Sequence, residues 1–241
     1  MTARRRRRLI TLLVVIGLAV VVVRFGNDAM IALETQRPSH SEGTPSHGRL
    51  VNGRRLPTSG PNFRAYSYLG TLLGRNSVHG RVRDAVLDAY ARMRREHPDR
   101  VFVYGETGWP GGGRIRPHRT HQNGSSVDFF VPVIDASGRS VELPTGLFRR
   151  FGYSHEFDAN GREGNLRIDF ASMAAHLGAL DDAARAHALR IDRVIFAPEL
   201  QPLLFGTPRG GELRARVPFV AWRAWVRHDE HYHVDFDLNS R

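Results

Sequence analysis

Cysteine is absent from all 241 residues. No disulfide framework can form, and neither a thiolate metal site nor a cysteine nucleophile is available. Any zinc must therefore be held by nitrogen and oxygen donors. Two familiar signatures are missing as well. There is no His-Glu-x-x-His, because His155-Glu156-Phe157-Asp158-Ala159 fails at its last position, and this excludes a zinc site carried on one helix. The run Gly111-Gly112-Gly113 is followed by neither Gly-Lys-Ser/Thr nor a helical pattern, so it is not a phosphate-binding loop. No internal repeat is found. The formal net charge is +11, but no recognition motif accompanies it, so nucleic acid is not an expected partner. The rest of the composition, 41% hydrophobic and 24% charged, is that of a globular chain with room for one sizeable core.

What is present begins with a topological signal. Arg4 to Arg8 form an unbroken basic run, and Leu9 to Val23 contains no charged residue. A basic segment before an apolar one is an export signal. No small-x-small cleavage site stands just after Val23, so the reading is an uncleaved signal anchor with its arginines in the cytoplasm. The rival is a signal peptide processed near Ala29 or Ala32. From about Gln36 to Pro61 serine, glycine, proline and histidine dominate, a composition that predicts a flexible tether. The chain thus divides into a basic region (1–8), a signal anchor or signal peptide (9–25), a flexible linker (26–61) and a folded domain (62–241). This places the domain on the periplasmic or cell-envelope side of the cytoplasmic membrane, with the membrane itself as a partner of the N-terminal segment.

Within the domain, Asn76 or Ser77 is expected to cap a helix reaching about His97, with Val78, Val82, Val86, Tyr90 and Met93 along one face. Val101 to Tyr104, Val127 to Val133 and Ile191 to Phe196 read as strands. Asp169 caps a second helix running from Phe170 to about Ala188, Pro198 opens a short one reaching Phe205, and Phe219 to Val226 is expected to form a last one. These elements predict an α+β fold: a single domain with a mainly antiparallel central sheet flanked by helices, and the N-terminal anchor helix outside the fold.

The chemistry concentrates in two stretches. In His231-Tyr232-His233-Val234-Asp235-Phe236-Asp237-Leu238 polar and apolar residues alternate, which on a strand puts His231, His233, Asp235 and Asp237 on one face and the apolar residues on the other. The second stretch, His118 to Asp128, carries His121 and Asp128 seven residues apart, with Asn123-Gly124 between them to turn the chain. A catalytic zinc site typically has three protein ligands and an open position for water. His121, Asp128 and His233 make such a set, and His231, two residues along the same strand face, is placed to take a proton from the water. Asp235 and Asp237 are expected to orient a histidine or meet solvent rather than bind metal.

His121-x6-Asp128 together with His231-x-His233 resembles the zinc signature of peptidases that cleave D-amino-acid bonds in cell-wall peptides, a superfamily that also contains the hedgehog signalling domain. The strings His118-x-x-His121-Gln122-x-Gly124 and His228-x-x-His231-x-His233 are most similar to the penicillin-insensitive murein endopeptidases, and the similarity extends through Arg193-Val194-Ile195-Phe196-Ala197-Pro198. The resemblance implies that His121, Asp128 and His233 bind zinc, that His231 sits beside the attacking water, that His118 and His228 line the site, and that peptidoglycan is the substrate. It implies a D,D-endopeptidase first, with a D-alanyl-D-alanine carboxypeptidase or a non-catalytic zinc-stabilised wall-binding module as alternatives. Where murein endopeptidases usually carry an acidic residue two before the aspartate ligand, this chain has Ser126, which bears on how a histidine ligand is supported. In D,D-carboxypeptidases a catalytic glutamate stands three residues before the last histidine ligand, and Glu230 occupies that position. On an ideal strand Glu230 faces away from the site, so His231 ranks first as the base, and a strand starting only at His231 would reverse the order. Arg114, Arg116 and Arg119 are expected to form a basic rim for substrate carboxylates.

Overall fold

A computed structural model describes residues 3–222 and 224–239. The chain opens with α1 (Ala3–Ala32) and a β-hairpin, β1 (His40–Thr44) and β2 (His47–Val51). Strand β3 (Phe63–Ala65) precedes helix α2 (Gly80–Glu96), then come β4 (Phe102–Tyr104), β5 (Ser126–Phe130), α3 (Phe170–Ala186), β6 (Arg190–Ile195) and β7 (His231–Asp237). The central sheet has the order β6-β7-β5-β4-β3, and only the β3–β4 pair is parallel. It is the mainly antiparallel sheet with flanking helices that the pattern predicts.

Helix α2 forms because Val82, Ala85, Val86, Ala89, Tyr90 and Met93 recur at three- and four-residue steps, and that stripe is buried. Its cap is His79, whose imidazole accepts from the Arg81 amide. The expected caps are used elsewhere: the Asn76 amide donates to the Leu56 carbonyl and the Ser77 hydroxyl to that of Gly74. Asp169 caps α3 as expected, accepting from the Ser172 amide. Both helices share one core with the apolar side of the sheet, including Phe129, Tyr232, Val234 and Phe236. The alternation in β7 is therefore realised: Tyr232 and Val234 are fully buried beneath the helices while His231 and His233 point the other way, into a cleft.

Two expectations are corrected. No helix occupies Phe219 to Val226 among the described residues. Phe219 instead bridges to Val194 of β6, the Val220 carbonyl accepts from Gln201, and Trp222 and Trp225 are exposed (Arg223 lies outside the described residues). Two tryptophans three residues apart give no helix when no core takes them up as one buried face.

The second correction concerns 26–61, where the structure has no flexible tether. α1 runs unbroken to Ala32, and Asn27 is wholly buried. β1 and β2 pair over five residues, Leu50 and Leu56 are buried, and the strand Arg54–Arg55 pairs with Ser77–Val78. The composition is poor in apolar area, but the hairpin is held largely by polar contacts to the loop after β4. The Gln122 amide donates to the Pro45 carbonyl, the Ser41 hydroxyl to that of Asn123, and the Leu50 amide to that of Gly111. Main-chain hydrogen bonds of this kind leave no mark in hydropathy.

Candidate metal centre

Strand pairing builds the centre. In the β5–β7 register His233 stands opposite Asp128, His231 opposite Phe130 and Asp235 opposite Ser126. The antiparallel ladder thus lays the His233 imidazole directly against the Asp128 carboxylate, Nδ1 to Oδ1 at 2.8 Å. His121 arrives from the loop before β5. Its backbone adopts φ +67°, a strained value for a non-glycine residue, and Gly124 at φ +77° turns the chain into the strand. A Cβ on Gly124 would come within 2.8 Å of Leu50 and of the His79 amide, so the position also requires the lack of a side chain. His228 (φ +57°), Arg150 and Phe151, also at positive φ, line the same cleft.

The hydrogen bonds fix the tautomer of His121. His121 Nδ1 lies 3.1 Å from the Thr107 carbonyl, which only accepts, so Nδ1 carries the hydrogen and Nε2 the lone pair. That Nε2 is buried, has no hydrogen-bond partner, and faces Asp128 Oδ1 at 3.2 Å. His233 Nε2 lies 2.9 Å from Asp235 Oδ1, and Asp235 is held ionised by Arg193 at 2.6 Å and by the Ser126 hydroxyl. His233 thus lies between two carboxylates, Asp128 at Nδ1 and Asp235 at Nε2, and the hydrogen on Nε2 leaves Nδ1 for a metal when one is bound. His121 Nε2 and His233 Nδ1 both face the buried Asp128 carboxylate, which demands a positive charge that a proton or a cation can meet. His118 completes a second grouping: its ligand atom and those of His121 and Asp128 all lie within 4.8 Å of one another. These residues can hold a metal ion.

Ser126, the position at which the chain departs from the expected acid, thus supports His233 through Asp235. Asp237 pairs with Arg190 at the edge of the sheet and takes no part.

Charge states follow from the surroundings. Burial resists a charge on His233, but Asp235 and Asp128 outweigh it and push the imidazole up to about 10. A proton and a metal ion compete for the same Nδ1 lone pair, so this upward pull expresses the same unmet demand for positive charge. Burial opposes ionisation of Asp128 too, yet His121 and His231 hold it well below the ordinary carboxylate range. Burial pulls His118 down to about 3 and His228 to about 4, leaving both neutral at pH 7.

Strand β7 begins at His231, so Glu230 is released from the alternation and its side chain turns into the cleft. That start is the condition that reverses the expected order, so Glu230 moves ahead of His231 as the candidate base. Its Oε1 lies 2.9 Å from His231 Nδ1, leaving Nε2 to face Asp128 Oδ2 at 3.8 Å. The His228 ring packs beside that of His231 with centroids 4.7 Å apart.

Four further residues of the cleft, Tyr153, Glu106, Arg75 and Tyr66, come from the structure. The Tyr153 hydroxyl accepts from the Glu106 amide at 2.9 Å and donates to Asp128 Oδ2 at 3.0 Å, fixing the second carboxylate oxygen. Burial raises the Glu106 carboxyl, although Arg75 at 2.7 Å and the Tyr66 hydroxyl counter it. No spacing pointed to Tyr153. Glu106 gave a faint signal, a lone acid just after a strand buried on both faces. The cleft has a volume of about 790 Å³, within the range of ligand sites. Of the expected basic rim only Arg119 lines it, with its guanidinium 5.5 Å from the Trp225 ring; Arg150 lines it as well.

A sequence model of the penicillin-insensitive murein endopeptidases matches residues 41–240. No curated protein matches the chain. The matched range covers hairpin, sheet, helices and cleft together, and the chain belongs to this family.

Proposed function

We propose that this murein endopeptidase is zinc-dependent and hydrolyses a D-amino-acid amide bond in peptidoglycan, with the D,D cross-link as its first substrate. The observation that carries the reading is the cluster of His118, His121 and Asp128 ligand atoms within 4.8 Å of one another, with His121 Nε2 buried and unpartnered and His233 Nδ1 against the same carboxylate. An all-nitrogen-and-oxygen set in a chain without cysteine suits zinc of the catalytic kind. His121, Asp128 and His233 would hold the ion, with His118 at its side. When bound, zinc supplies a Lewis acid for the scissile carbonyl and acidifies water.

The remaining chemistry belongs to the chain. Glu230, turned into the cleft, takes a proton from the attacking water, and His231, bonded to it through Nδ1, relays that proton to the leaving amine. Glu230 stabilises the imidazolium that forms between these two transfers. His228, neutral and stacked on His231, shields that proton path from bulk solvent. Arg119 and Arg150 orient the free carboxylates of the stem peptide. The enzyme acts on the outer side of the cytoplasmic membrane, held there by α1, a helix long and apolar enough to cross a bilayer.

Digestion of purified sacculi by the full chain, followed by mass spectrometry of the muropeptides, tests this. Cross-linked dimers are expected to fall to monomers, to persist with a chelator, and to fall again when zinc is restored. Loss of terminal D-alanine alone would reassign the enzyme as a carboxypeptidase. Sacculus binding without any cleavage would make it a wall-binding module.

A further inference from the structure

We propose that the face formed by Tyr68, Leu69 and Leu73 is seated in the lipid headgroup layer, so that the catalytic cleft is held against the membrane. This rests on the reading of α1 as an uncleaved membrane span. Three observations carry it.

The first is a rigid junction. α1 passes from its apolar run into the fold without a break, and Asn27 is fully buried there: its amide donates to the Leu56 carbonyl, and its Oδ1 accepts from Asn76 and Arg55. Glu34, just beyond the helix, accepts from the Arg55 amide and pairs with Arg83. Gly26 lies so close to Leu72 that a Cβ there would be 2.5 Å from its methyl carbon. No slack separates span from fold.

The second is length. Leu9 to Val23 is 15 residues, about 22 Å of helix against a hydrocarbon core of about 30 Å. The fold already begins at Asn27, four residues further. A crossing by α1 therefore draws Arg24 to Gly26 and the adjoining apolar surface of the protein into the interface.

The third is that such a surface exists at the right height. The short helix Tyr68–Leu72 lies alongside α1, and Tyr68 shares a groove with Ile16, Ala19, Val20, Val23 and Arg24. Its ring therefore overlaps the apolar run, with the Arg24 guanidinium 5.2 Å away. Tyrosine and arginine are the residues that tolerate this depth, one by its amphipathic ring and the other by extending its charge to the headgroups. Beside them Leu69 and Leu73 are 51% and 56% exposed, with no protein partner to cover them. The same segment reaches the active centre: Tyr66 on one side of it and Arg75 on the other both line the cleft.

The natural absence of cysteine makes the test direct. Single-site variants Leu69→Cys, Leu73→Cys, Val15→Cys and Ser137→Cys of the full chain carry an environment-sensitive fluorophore and are reconstituted in phosphatidylethanolamine–phosphatidylglycerol vesicles. Lipids spin-labelled near the headgroup and aqueous iodide serve as quenchers. Labels at 69 and 73 are expected to lose emission to the lipid quencher and resist iodide, while the label at exposed Ser137 does the reverse. If the label at 15 is quenched by lipid but those at 69 and 73 are quenched only by iodide, the span stands and the seated face is overturned. If the label at 15 is itself open to iodide, the membrane-span reading fails, and the proposal with it.

Discussion

Asp235 decides which nitrogen of His233 is free. Its Oδ1 accepts from Nε2, and Arg193 and Ser126 keep it ionised and in place. Removing that charge leaves the imidazole able to turn or to change tautomer, and losing such a supporting carboxylate typically weakens metal binding by about 10- to 100-fold. Asp235→Asn is therefore expected to lower zinc affinity by that factor while the far-ultraviolet circular dichroism stays unchanged. Competition against a chromogenic chelator measures it, and unaltered affinity would reduce Asp235 to a packing role. Most of this centre is visible in sequence because its donors are histidines and acids at strand and loop spacings. Tyr153 is not visible, since a hydroxyl that locks Asp128 looks like any other tyrosine until the loop from 144 to 154 is folded over the cleft. Glu230 shows a different limit: its position was legible, but its orientation depended on where β7 starts.

Among the elements, the hairpin β1–β2 has the largest effect for its size. Leu50 is its one fully buried side chain, packed against Gly124 at the turn into β5. Leu50→Ala should cost about 2–4 kcal/mol in chemical denaturation, as buried leucine truncations do. It should also loosen zinc, because His121 sits in the loop beneath. Helix α3 presents a second testable contact. His176 is sealed among Tyr90, Phe102 and Phe129 and accepts or donates to the Tyr232 hydroxyl at 2.7 Å. Burial alone pulls it from 6.5 down to about 3. The unfolded chain thus binds a proton that the folded chain refuses, so stability is complete above about pH 6.5 and is lost as the pH falls toward 3. Between pH 6.5 and 5 the loss amounts to about 2 kcal/mol, and in His176→Gln that part of the slope should vanish from urea titrations. The strands and both long helices were legible from periodicity, which reports burial of one face. The hairpin was not, because backbone hydrogen bonds rather than apolar area attach it to the fold.

For the whole molecule, N-terminal helix and folded body form one unit joined through Asn27. Asn27→Ala deprives the Asn76 amide and Arg55 of an acceptor, which should cost about 1–3 kcal/mol and lower the melting temperature in detergent. A fragment covering 36–241 should melt lower still, whereas a body hung on a loose leader would be indifferent to both changes. The apolar segment made an N-terminal helix legible in the sequence, but the docking of the helix end could not be inferred from it, because Asn27 is an unremarkable polar residue until its partners are folded around it. The placement of the three donors has a kinetic consequence. Asp128 and His233 belong to paired central strands and are as immobile as the sheet, while His121 is kept in place by a loop and the hairpin over it. Ion exchange should therefore follow the opening rhythm of β1–β2, with His121 the first donor to let go and the last to return.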